Sequence, residues 1–84
     1  MRTEALTYFV AIAESGSFNK AAETLYISQP SLSRIIHNME QELNMTLFGR
    51  SNHGIQLTED GKRLYHYSKS VLNQMKTLDD YFAF

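Results

Sequence analysis

The chain has 84 residues, enough for one domain, since independent cores become marginal well below about 100 residues. A content of 43% hydrophobic and 20% charged residues suits a packed globular unit and is too apolar for a disordered one, while the absence of cysteine excludes a disulfide framework and a thiolate metal site. Lys and Arg number 8 against 9 for Asp and Glu, a formal net charge of -1 that by itself does not point to nucleic acid.

The first helix is expected from Glu4 to Glu14, where Leu6, Phe9, Val10 and Ala13 recur with helical spacing and Thr3 can serve as the N-cap. Ser15-Gly16-Ser17 breaks the pattern, and Ser17 can cap a short second helix with Phe18, Ala21, Ala22 and Leu25 on its inner side. The small Ala21-Ala22 pair lets a crossing helix approach closely. Tyr26-Ile27 forms a turn, and Ser28 caps a third helix with Pro30 in its first turn, where a missing N–H is harmless.

Leu32, Ile36, Met39 and Leu43 define the buried stripe of that third helix by their 4, 3 and 4 spacing. Its outer side carries Gln29, Ser31, Ser33, Arg34, His37 and Asn38, all able to form hydrogen bonds. Asn44 suits a left-handed helix stop. Thr46 to Arg50 and Ile55 to Leu57 are expected as short strands around the turn formers Ser51-Asn52-His53-Gly54.

Thr58 can cap a last helix, with Glu59 and Asp60 favourably placed at its positive end. From Glu59 to Phe82 that helix would run about 36 Å at ~1.5 Å per residue, longer than the domain needs. Leu64, Ser68, Val71, Met75, Leu78 and Phe82 alternate 4 and 3 spacing, a seam interrupted by Ser68 and widened by Tyr65 and Leu72. The simplest cover for it is the same helix of a second chain, with Leu64, Val71, Met75, Leu78 and Phe82 as the dimerisation residues.

The expected fold is mainly α: a winged helix-turn-helix, with a three-helix core and a two-stranded wing, over residues 1–58, then a linker and dimerisation helix over 59–84. Ser15 to Asn38 holds Lys20, Arg34 and His37 against Glu23 alone, and Leu43 to Thr58 holds Arg50 and His53 with no acid. Any basic face is local. Phe18 to Asn38 is a short helix, a turn and a capped helix with a polar outer face, the geometry that presents a recognition helix to the major groove. Arg34 can bond guanine in bidentate fashion, Gln29 adenine, and Ser31 or Ser33 either bases or phosphates. On pattern alone a solvated helix face fits these residues equally well.

The motif SQPSLS from Ser28 to Ser33, with Ser17-Phe18, Ala21-Ala22 and Leu25 before it, is followed in order by Ile36, Glu40, Leu43, Leu47-Phe48, Arg50 and Leu57-Thr58 with Gly61. In these residues the chain resembles the N-terminal domain of LysR-type transcriptional regulators, over Leu6 to about Leu78. The resemblance implies that Gln29, Pro30, Ser31, Ser33 and Arg34 line the major groove of double-stranded DNA. Ser17, Lys20, His37, Arg50 and His53 would approach the DNA backbone, His53 from the wing tip. It also implies an inverted-repeat operator bound as a homodimer, and a small-molecule effector bound only through a larger domain for which 84 residues leave no room. The chain departs from the family at His37, where arginine is frequent, near His53, where a basic residue is common, and at Asn44, where glycine is usual.

No constellation competes with this reading. His37, His53 and His66 lack the close spacing of zinc ligands, no serine lies in a nucleophile elbow, and no glycine-rich loop could cradle phosphate. Neither metal, cofactor nor catalysis is expected. Met1 to Ala11 has no leader-like pattern and no apolar stretch approaches ~20 residues, so a cytoplasmic protein without membrane contact is expected. A winged helix that binds another protein is the alternative, which the net charge favours slightly.

Overall fold

The computed structural model describes residues 1–82. Four helices and a hairpin follow in chain order: α1 (Thr3–Ser15), α2 (Phe18–Leu25), α3 (Gln29–Leu43), β1 (Phe48–Ser51), β2 (Gly54–Leu57) and α4 (Glu59–Phe82). They build the expected three-helix core with a two-stranded wing and a long final helix.

Local capping sets most boundaries. Ser17 Oγ accepts from Lys20 N–H at 3.2 Å and Ser28 Oγ from Ser31 N–H at 3.2 Å, so each hydroxyl satisfies an N–H that helix geometry leaves unpaired. Thr58 Oγ1 does the same for Gly61 N–H at 3.0 Å. Asn44 ends α3 in the left-handed conformation, as expected. Thr3 does not act as a cap. The first turn already closes on Arg2, whose carbonyl accepts from Ala5 N–H at 3.0 Å, so Thr3 is the first helical residue and no side chain caps α1.

Helix α1 packs against α2, α3 and α4, which widens its buried surface beyond a single stripe. Leu6, Phe9, Val10 and Ile12 are all buried, whereas Ala13, expected inside, is half-buried. Ala21, Ala22, Leu32, Ile36, Met39 and Leu47 complete the core. The stripe of α3 stops at Met39. Leu43, at the end of the helix, is half-buried and opens on a cleft shared with Met45, Leu64 and Tyr67.

The wing is antiparallel, with Phe48 opposite Leu57 and Arg50 opposite Ile55, leaving Asn52-His53 as its tip. Its first strand begins at Phe48 rather than Thr46. The Leu47 N–H goes to Glu40 Oε2 at 2.7 Å and the Thr46 carbonyl to the Thr58 hydroxyl at 2.5 Å, so this segment serves the helix ends instead of the ladder. Phe48 anchors the wing to the body, its ring 5.4 Å from Phe9 and 5.6 Å from Phe18, distances at which tilted aromatic pairs attract. Gly61 allows α4 to begin close to that anchor, since a Cβ there would overlap the Leu47 carbonyl oxygen.

Leu64, Tyr65 and Leu72 on α4 pack against the core, and Ser68 is buried where a larger side chain would hold α4 away. Beyond them the helix leaves the body, and the described residues extend 46 Å along their longest axis against 26 and 23 Å across. No described helix is long and apolar enough to cross a membrane.

Candidate nucleic-acid interface

The start of α3 carries the expected recognition residues, and most are bare. Gln29, Pro30 and Arg34 are exposed, while Ser31 and Ser33 are half-buried. Two short hydrogen bonds organise this turn. Gln29 Nε2 donates to Ser33 Oγ at 2.7 Å, which pre-positions the amide one helical turn along the outer face. Ser28 Oγ donates to Ser31 Oγ at 2.8 Å, so the Ser31 hydroxyl is tied to the cap. Arg34 stands one turn beyond Pro30 and is held by neither bond.

Arg50 joins the wing to the helices. It lines a groove with Phe18, Ser33, His37 and Ile55, and also a second cleft with Ser17, Asn19, Gln29 and Ile55. Five of the expected residues, Ser17, Gln29, Ser33, His37 and Arg50, are thereby brought onto one continuous surface between α3, the start of α2 and the wing. Glu40 also borders the first groove, but its Oε2 accepts from the Leu47 backbone, which aims that negative charge inward. His37 Nε2 lies 3.4 Å from Gln41 Nε2, one turn farther along α3.

The remaining expected contacts lie outside these two clefts. Lys20 is exposed on the outer side of α2, His53 is exposed at the wing tip, and Pro30, Ser31 and Arg34 line neither cleft. The Ser17 hydroxyl is occupied as the α2 cap. Chemically, the surface offers amide, hydroxyl and guanidinium groups suited to base edges and phosphates, with no cluster of ligands for a metal among the described residues.

Two residues were not singled out in the sequence. Asn19 lies in the first turn of α2 and lines the cleft with Gln29 and Arg50. Its outward position in a capped first turn was the available signal. Tyr26, in the turn between α2 and α3, is 95% exposed. Its place two residues before Ser28, the cap of α3, was the signal there.

The outer half of α4 is a second candidate surface, of opposite chemistry. Val71, Met75, Leu78 and Phe82 are exposed, whereas Leu64 is drawn against the domain's own core. The inner half of the helix is fixed by polar contacts as well. Tyr65 Oη donates to Glu14 Oε2 at 2.7 Å and Lys69 Nζ to the same oxygen at 3.1 Å. The Tyr65 hydrogen bond, followed by that of Lys69, holds the Glu14 carboxyl below its ordinary range. Bonding to Glu14 raises the Tyr65 phenol and the Lys69 ammonium in turn.

Known proteins share this arrangement. A family model described as bacterial regulatory helix-turn-helix protein, lysR family, matches residues 3–62. The chain is 49% identical over 67 residues to a probable RuBisCO transcriptional regulator of Cyanidioschyzon merolae, a match covering 80% of this chain and 22% of that protein. It is 41% identical over 75 residues to the HTH-type transcriptional regulator BenM of Acinetobacter baylyi, covering 89% of this chain and 25% of that one. Among solved structures, the BenM DBD in complex with catB site 1 DNA superposes with a TM-score of 0.91 at 39% identity, over 95% of this chain and 86% of the other. The chain spans about a quarter or less of the length of the two regulators. With the family model running from the start of α1 into the first turn of α4, the protein belongs to the LysR family of bacterial regulatory helix-turn-helix proteins.

Proposed function

We propose that the protein is the sequence-specific DNA-binding domain of a cytoplasmic transcriptional regulator, and that it reads an inverted-repeat operator as a homodimer. The observation that carries this reading is the continuous surface that joins Gln29, Ser33 and His37 on α3 to Arg50 on the wing. Helix α3 enters the major groove with Gln29, Pro30, Ser33 and Arg34 towards base edges, and with Ser31 beside them, its hydroxyl tied to the Ser28 cap. Ser17, Lys20, His37, Arg50 and His53 face phosphates. Because the net charge is -1, the cations must be local and few, so affinity depends on two copies acting together.

Val71, Met75, Leu78 and Phe82 supply the dimer contact, one α4 lying along the other. This gives the exposed stripe an apolar cover and sets two α3 helices on one side of the duplex. The DNA complex of the BenM DBD, with 39% identity over nearly the whole chain, supports the DNA-binding half of this reading. The reading gives the protein no catalytic step, and an effector would act through a further domain.

The net charge favours one second reading, a winged helix that docks on another protein. Salt separates the two. Fluorescence anisotropy on a duplex selected from a random pool should give a log–log plot of affinity against salt that falls linearly and steeply, because phosphate contacts release counterions. A flat plot, or no binding to any duplex at low salt, would overturn the DNA reading.

A further inference from the structure

Each of the first three helices ends on a residue in the left-handed conformation: Gly16 with φ 70°, Tyr26 with φ 58° and Asn44 with φ 53°. Glycine and asparagine suit that position, but tyrosine carries a Cβ against the following carbonyl and lacks the short polar side chain that eases asparagine. Packing would normally offset such strain. Here it does not, because Tyr26 at 95% is the most exposed of the large hydrophobic side chains among the described residues. The next residue, Ile27, is the one that turns inward against the core. The helix stop itself uses the left-handed backbone, through the Tyr26 and Ile27 N–H groups that close on α2 carbonyls, but the fold makes no use of the aromatic ring.

Its location narrows what the ring is for. The Tyr26 N–H closes α2 on the Ala22 and Glu23 carbonyls, and Ser28, the α3 cap, follows two residues later. At most about 7 Å of chain therefore separates the two Cα atoms. The turn containing Tyr26 sits beside the end of α3 that carries Gln29 and Pro30, and Tyr26 lines neither cleft that includes Arg50. It stands at the flank of the recognition surface, where a duplex seated on α3 presents its sugar-phosphate rim.

We propose that Tyr26 is a further DNA-backbone contact, its phenol O–H donating to a phosphate oxygen at the edge of the groove that α3 enters. The left-handed backbone holds the ring out from the turn to make that contact. This rests on the DNA reading above, and as a contact to backbone it adds affinity without sequence preference.

Two variants test it, with anisotropy on the selected duplex and on a mixed-sequence duplex, and with thermal unfolding. Tyr26→Phe keeps the ring and backbone but removes the donor. It should leave the thermal midpoint unchanged and weaken binding about threefold to tenfold on both duplexes. Its salt slope should equal the parent's, since a neutral donor releases no counterion. Tyr26→Asn relieves the backbone strain, so it should unfold a few degrees higher while binding at least as weakly as the phenylalanine variant. Parent affinity in Tyr26→Phe, an asparagine variant that gains stability and keeps its affinity, or a loss confined to one sequence would overturn the proposal. Arg34→Ala separates the two levels. If it loses discrimination while the Tyr26 variants bind as the parent does, only this inference fails; if the parent binds neither duplex, the DNA reading fails with it.

Discussion

Helices α3 and α4 each give one face to the domain and leave the other bare, but the bare faces differ in kind. On α3 the uncovered residues, Pro30 apart, are polar or charged: Gln29, Arg34, His37, Asn38, Gln41 and Glu42, groups that water solvates well. On the outer half of α4 they are Val71, Met75, Leu78 and Phe82, whose exposure to water is unfavourable by roughly 25 cal/mol per Å². A polar face without a partner is at rest, and an apolar stripe is not. Helix α4 therefore calls for a standing partner and α3 for one that comes and goes, the division of labour that the proposed dimer on DNA requires.

The largest expected effect comes from the apolar side. Replacing Val71 and Leu78 together with Asp should convert dimers to monomers in the ultracentrifuge. It should also weaken operator binding by roughly 100-fold or more, the scale of avidity lost when two sites act singly. Both side chains lie outside the core, so the fold and its circular dichroism should persist. A parent protein already monomeric at tens of micromolar would break the comparison at once.

On the polar side the effects are smaller and of another type. Lys20→Ala and Arg50→Ala should each weaken all duplexes about equally and lower the salt slope by about one, as loss of one phosphate contact requires. The stronger loss is expected for Arg50, which borders both clefts of the interface, whereas Lys20 borders neither. An unchanged slope in Arg50→Ala would detach the wing from the DNA surface.

Smallest is the effect at the junction where the two surfaces meet the body. The Glu14 carboxyl is held below its ordinary value of 4.5 by Tyr65 and Lys69. Its contribution is therefore present above that value and lost as pH falls through the lower, folded one. Tyr65 and Lys69 are raised above 10.0 and 10.5, so their side of the network is lost only as pH rises beyond those values. Between these limits the network should be insensitive to pH. In thermal scans from neutral pH to about pH 3, the parent midpoint should fall slightly more than that of Tyr65→Phe; equal falls would remove the network as a brace for α4.

Much of this architecture was legible in the sequence because it is encoded locally. Ser17, Ser28 and Thr58 each bond an amide three residues on, and Asn44 stops α3 by its own backbone preference. What escaped depends on distant partners. Glu40 reaches across to Leu47 and shortens β1, and Glu14 meets Tyr65 and Lys69 from 51 and 55 residues away. The burial of Ile12 follows from α1 having neighbours on several sides, which helical periodicity along one strip does not express. For the interface, residue types on α3 were readable, but not that Arg50 would border both Gln29 and His37. That juxtaposition is made by Phe48 seating between Phe9 and Phe18. Leu64 was read into the same seam as Val71, since spacing alone cannot say where a helix leaves the body.

The central claim is that α3 reads sequence, and Arg34 tests it most directly because it is exposed and its replacement leaves the core intact. Affinities of the parent and of Arg34→Ala would be compared on the selected duplex and on a scrambled duplex of equal length and salt. The account predicts that the variant loses about 1 to 3 kcal/mol of the difference between the two duplexes while still binding the scrambled one nearly as the parent does. A folded variant that discriminates as well as the parent would contradict it.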